Sequence, residues 1–120
     1  MASGLGVDIE NEFKTLLEEA AMLADVLPSL SAPTQKARRW IEIAGAAAAI
    51  EKIYSGCERV MLLLAKRVDG AAIDKSDGWH ATLLKRMSND FPEVRGPILS
   101  AACREDLDRF RSFRHRVRNS

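Results

Sequence analysis

Aromatic residues are scarce in this sequence: four Phe, two Trp and one Tyr among 120 residues. A core built from it must rest mainly on Ala, Leu, Ile and Val. Cysteine is rarer still. Cys57 and Cys103 stand far apart, each among apolar neighbours. That excludes a disulfide framework and a zinc pair, and predicts two buried, reduced thiols. Long hydrophobic runs are missing as well. The longest, residues 43–50, is bounded by Glu42 and Glu51 and is far too short to span a bilayer. The start, "MASGLGVDIE", lacks the basic opening and apolar stretch of a signal peptide. These absences read as a cytoplasmic protein with no membrane contact. No segment alternates with period two, no repeat recurs and no stretch is of low complexity. There is no glycine-rich phosphate loop, no His-Glu metal helix and no serine elbow, so no metal or cofactor is expected.

What is present is enough for one domain: 120 residues, 47% of them hydrophobic. The net charge is only +1, but it is unevenly spread. The last twelve residues, "RFRSFRHRVRNS", carry five arginines and no acid, so the remainder of the chain carries −4. A basic end on an acidic body points to a local anion site, not to a coat that binds nucleic acid everywhere.

Helical spacing dominates. Ile9, Phe13, Leu16, Leu17, Ala20, Leu23 and Leu27 recur at steps of three and four, and Pro28 closes that helix. Its other face, with Asp8, Glu10, Glu12, Glu18, Glu19 and Asp25, reads as solvated, or as a dock for a basic partner. After "PSLSAP", residues 34–68 predict one long helix. Ile43, Ala47, Ile50, Tyr54, Cys57, Met61 and Leu64 alternate in steps of four and three. Its "GAAAAI" segment is narrow and lets neighbours approach, and Trp40 and Tyr54 are expected to pack. A glycine- and aspartate-bearing loop follows, from which Asp77 or Ser76 can cap a helix over roughly 78–89. Pro92, Gly96 and Pro97 break the chain again, and Ser100 can cap a last helix. The expected fold is all-α: a bundle of four main helices, up-and-down, with short connecting loops.

On a helical wheel Cys103, Leu107, Phe110, Phe113 and Val117 share one side of the last helix. Arg114 lies at the edge of that side. Arg118, Arg111 and His115 come next to it and Asn119 just beyond, while Arg109 and Arg116 point elsewhere. Arginine offers a planar, permanently charged fork suited to phosphate. A histidine among cations can act as a base near neutral pH. Together the two residue types can cleave RNA without metal: the base takes the ribose 2′-hydroxyl proton while cations stabilise charge at phosphorus. A basic last turn that merely complements the helix dipole is the alternative. His80, beside Trp79 in the first turn of its helix, reads as a structural histidine.

The blocks "IYSGCERVMLLLAKRVDG", "GWHATLLKRM", "FPEVRGPILS" and "LDRFRSFRHRVRNS" resemble the successive blocks of HepT-like proteins in the HEPN superfamily. The resemblance covers roughly residues 45–120, with a looser match for the first helix. It implies a single HEPN-like helical domain over residues 1–120 and a helical-bundle homodimer. It also implies the motif Arg-x4-6-His, often followed by x-Tyr. Many members are metal-independent ribonuclease toxins, components of toxin–antitoxin systems. Their usual neutralising partner is a small nucleotidyltransferase, which in one arrangement adenylylates the motif tyrosine. Carried onto this chain, the motif arginine falls on Arg114. Asn119 stands where the family often has histidine, and asparagine cannot serve as a general base. A second registration runs from Arg109 to His115. The motif tyrosine would fall just after Ser120, so the natural chain is expected to continue. The resemblance therefore implies an endoribonuclease with Arg114, His115 and Asn119 as catalytic residues and Arg111 and Arg118 as RNA contacts. The alternative is a non-catalytic module that binds RNA or nucleotide, or docks a nucleotidyltransferase partner.

Overall fold

The computed structural model describes residues 4–118, with side chains through Arg116. Four α-helices follow in order: α1 (Gly4–Val26), α2 (Lys36–Arg67), α3 (Trp79–Ser88) and α4 (Ala101–Arg118). A short 3-10 turn over Leu27–Ser31, opened by Pro28, joins α1 to α2. The described residues contain no strand, only an isolated bridge between Phe91 and Arg95. The expected all-α bundle is the observed architecture.

α1 and α2 form an antiparallel hairpin, and α3 and α4 pack on α2 and on each other. The hairpin's register is set by a small residue. Gly56 is buried, and a Cβ placed there would strike the Leu16 side chain. Ion pairs flank that contact on either side, Glu12 with Arg59 at 3.0 Å and Lys52 with Glu19 at 3.6 Å. At the closed end Arg39 donates to the carbonyls of Ser29, Leu30 and Ala32, and the Ser29 hydroxyl donates to Glu42.

These pairs correct the expected orientation of α1. Glu12 and Glu19, assigned to the solvated face, turn toward α2, while Phe13 and Leu17 are exposed, Leu17 at 68%. The apolar stripe of α1 is wider than one neighbour can cover. Trp40, expected to pack, is 71% exposed for the same reason: in α2 it lies beyond the stretch that carries α3 and α4.

The core lies between α2, α3 and α4. Met61, Ala65, Leu83, Leu84 and Met87 are buried together, with Leu99 and Leu107 packed against them. Each fully buried Leu or Met here contributes roughly 1.5–3 kcal/mol. Tyr54 is buried as expected. The core is closed at one end by Asp69, whose carboxylate accepts hydrogen bonds from Arg86 and Arg95. Both guanidinium groups also lie over the Phe91 ring, at 4.6 and 4.9 Å. The Ile98 and Leu99 amides then donate to Met87 O, finishing α3 and turning the chain toward α4.

Capping is met in one case and corrected in another. Ser100 Oγ accepts the Cys103 amide at 3.1 Å, as a cap of α4 should. α3 uses neither side chain proposed for it. Gly78 takes the N-cap place in a left-handed conformation (φ 79°), and the Trp79 amide donates to Ser76 O. The thiols also differ from expectation: Cys57 is half-buried and Cys103 exposed. Burial, and to a smaller degree the nearby Cys103, push the Cys57 thiol above its ordinary value.

Candidate functional site

α4 faces the bundle through a different side than its apolar stripe suggests. Arg104, Leu107, Asp108, Arg111 and Arg114 are drawn partly inward, as is Phe113, whereas Cys103 is exposed and Phe110 is 38% exposed. The helix is thus turned about its axis toward its arginines. The cause is buried negative charge on α2. Arg114 lies 3.8 Å from Glu58 Oε2 through one terminal nitrogen and 4.0 Å from Glu51 Oε1 through Nε. Its guanidinium sits 5.4 Å above the Tyr54 ring. Only 12% of the Arg114 side chain remains exposed, and its buried Nε has no hydrogen bond.

Glu58 is the pivot. It occupies the core face of α2, one turn beyond Tyr54, and is 8% exposed. A carboxylate so placed must be paired to stay charged. His80, from the first turn of α3, supplies the closer contact: Nδ1 lies 2.6 Å from Glu58 Oε2. With Nδ1–H donating to the carboxylate, the imidazole is held in one orientation and Nε2 is left on the far side. Trp79 stacks beside the ring at 3.8 Å between centroids. Burial, followed by the Glu58 charge, pushes the Tyr54 phenol well above its ordinary value, so it stays protonated at neutral pH.

On the open side of this cluster is a small pocket of about 70 Å³, lined by His80, Arg111, Arg114 and His115. Its size suits a small anion, not a whole nucleotide, whose pockets run to about 300 Å³ or more. Arg111 is steadied by Asp108, which accepts from its Nε at 2.8 Å. His115 is on the exposed rim. The structure thus brings together three of the residues singled out in the sequence, Arg111, Arg114 and His115. Arg118 lies in the last turn of α4, but its side chain is outside the described part, and Asn119 lies outside the described residues altogether. Arg109 and Arg116 face away, Arg109 pairing with Asp106 in solvent. Among the described residues no three His, Cys, Asp or Glu side chains gather as a metal site.

The sequence marks His80 only as a structural histidine, in keeping with its contact to Glu58, and does not single out Glu58. One signal was available for the second: a carboxylate at position 58 falls on the face shared by Tyr54, Met61 and Ala65, where an acid needs a partner. No local signal tied His80 to Glu58, because the contact joins two helices across an eleven-residue loop, residues 68–78.

A family model described as "HepT-like protein" matches residues 45–120. The chain therefore belongs to the HepT-like proteins of the HEPN superfamily. The matched region contains Glu51, Tyr54, Glu58, His80 and the arginines of α4, and leaves out α1. Comparison with curated proteins and with solved structures finds no match.

Proposed function

We propose that this HepT-like protein is the toxin of a toxin–antitoxin pair and acts as a metal-independent endoribonuclease. The observation that carries the reading is the orientation of α4. Arginines of a surface helix would ordinarily point to water, yet Arg114 is held inside by Glu58 and Glu51, beside a pocket that contains two histidines. A fixed arginine loses less entropy on binding phosphate, and its charge acts more strongly where water is excluded. In this reading Arg114 holds the scissile phosphate, a histidine of the pocket takes the 2′-hydroxyl proton, and Asn119 hydrogen-bonds the phosphate. Arg111 and Arg118 hold the neighbouring backbone. One such pocket is shallow, so two copies face each other in a homodimer and make a cleft. The exposure of Phe13, Leu17, Trp40 and Phe110 supports self-association. The neutralising partner is a nucleotidyltransferase-type protein, and the site of action is the cytoplasm. No helix among the described residues is long and apolar enough to cross a membrane.

A second reading is favoured by Asn119 at the motif position where the family often has histidine. It makes the chain a non-catalytic HEPN module that binds RNA or nucleotide, or docks the nucleotidyltransferase, without cutting. Cleavage of single-stranded RNA in the presence of EDTA, at two salt concentrations, separates the two. Arg114→Ala should abolish cutting in a protein that still folds, at some cost in stability because Glu58 keeps only His80 as a partner, whereas Arg116→Ala should only weaken binding at low salt. Equal damage from both variants would mean diffuse charge and no defined site. A parent protein that binds RNA and never cuts it would establish the second reading.

A further inference from the structure

We infer that His80, aimed by Glu58, is the general base of this site. The proposal rests on the ribonuclease reading and names a residue that the arginine–histidine motif of α4 does not contain.

Three observations converge on it. First, His80 borders the same pocket as Arg111, Arg114 and His115, although it comes from a different helix. Second, its ring is set by a buried acid: Nδ1 is 2.6 Å from Glu58 Oε2, so Nε2 is the nitrogen left to act. A base held in one tautomer and one orientation is ready for proton abstraction, and an imidazole free to rotate is not. Third, the same Glu58 oxygen lies 3.8 Å from Arg114. One carboxylate thereby ties the base to the phosphate-holding arginine and fixes their separation. His80 is faced by Glu58 from α2 and by Arg111, Arg114 and His115 from α4, and its side chain keeps 32% exposure, enough to meet substrate. A motif position occupied by Asn119 is no obstacle if the base comes from α3.

His80 Nε2 takes the proton of the 2′-hydroxyl, and the 2′-oxygen forms a bond to phosphorus. The bond from phosphorus to the 5′-oxygen breaks, and that oxygen leaves with a proton from water. The products are a 2′,3′-cyclic phosphate and a 5′-hydroxyl. His80 is then the catalytic residue, and Glu58 is a positioning residue.

His80→Asn is the informative substitution, because its amide can still donate to Glu58 from near the Nδ1 position while Nε2 is gone. Single-stranded RNA is the substrate, and the same RNA with 2′-deoxy nucleotides is the binding probe. Cleavage by H80N should fall roughly 100-fold or more, with probe affinity changed less than about threefold. The acidic limb of the pH–rate profile should disappear. Glu58→Gln should lower kcat more than it changes KM. If H80N does not fold, His80→Gln takes its place. In the parent protein, uridine 3′-monophosphate should perturb the His80 imidazole resonances, and their indifference to it would overturn the proposal. A parent that cuts RNA and an H80N variant that cuts it equally well would refute the role of His80 and leave the ribonuclease reading standing. A parent that binds the probe and cuts nothing would remove both.

Discussion

Replacing Asp69 by Asn changes one oxygen to an amide group, yet it should be among the most damaging substitutions in this protein. The Asp69 side chain is 2% exposed. Its two oxygens accept from Arg95 Nε at 2.7 Å, from a terminal Arg95 nitrogen at 2.9 Å and from Arg86 Nε at 2.9 Å. In the variant two guanidinium groups, both also leaning on Phe91, would face each other across a neutral amide. Removing one partner of a buried ion pair costs about 3–5 kcal/mol, because the remaining charge is left uncompensated. For a chain of this size that is a fall in Tm of roughly 10 °C or more. The effect should depend on pH in a definite direction. The hydrogen bonds from Arg95, with those from Arg86, hold the Asp69 carboxyl below the usual carboxylate range despite its burial. A carboxyl depressed in the folded state adds stability that is fully present above the unfolded value, near pH 4, and is lost as pH falls below it. Parent and D69N should therefore be far apart at pH 6 and converge below about pH 4. Thermal and urea denaturation across that range measure both. A Tm within about 2 °C of the parent at pH 6, or a gap unchanged down to pH 3, would show that Asp69 does not hold Arg86 and Arg95 as a charged, stabilising pair.

Two further substitutions test the packing. Leu84→Ala, at 1% exposure in the core, should cost about 2–5 kcal/mol, whereas Phe110→Ala, at 38% exposure, should cost about 1 kcal/mol or less in the isolated protomer. Urea denaturation at low protein concentration makes the comparison, and equal losses would place Phe110 in the core after all. Gly56→Ala should destabilise by about 1–2 kcal/mol, although alanine is the better helix former, because its Cβ would strike Leu16. Combined with Leu16→Ala it should cost less than the two single losses added, and a stabilised Gly56→Ala protein would show that α1 and α2 are not closely apposed there.

Helix number and approximate bounds were legible because spacing of three and four, broken by proline and glycine, is a local signal. Which side of each helix faces inward was less so. In α4 the wheel turned Phe110 inward, but Glu51 and Glu58, more than fifty residues earlier, draw Arg114 in instead and leave Phe110 exposed. In α1 the same error has the same cause: Arg59 and Lys52 draw Glu12 and Glu19 inward and leave Phe13 and Leu17 outside. Apolar periodicity records where side chains prefer to be buried, not which neighbour is available to cover them. The site was half legible. Its arginines lie close together in sequence, at every second or third position from 109 to 118, whereas His80 and Glu58 meet only after α3 has folded back onto α2. The cap of α3 failed for a similar reason, since the positive φ of Gly78 is decided by the path of the loop.

In the reaction proposed for this protein, the pocket between α3 and α4 directs attack by the ribose 2′-hydroxyl on the phosphate held at Arg114. The most direct measurement uses a single-stranded RNA whose cut position has been mapped with the parent protein in EDTA. A second RNA carries one 2′-deoxy nucleotide immediately 5′ of that cut. The all-ribose strand should yield a 2′,3′-cyclic phosphate and a 5′-hydroxyl, and the substituted strand should not be cut at that position. Cutting at the deoxy position, or products ending in a 3′-hydroxyl and a 5′-phosphate, would contradict it.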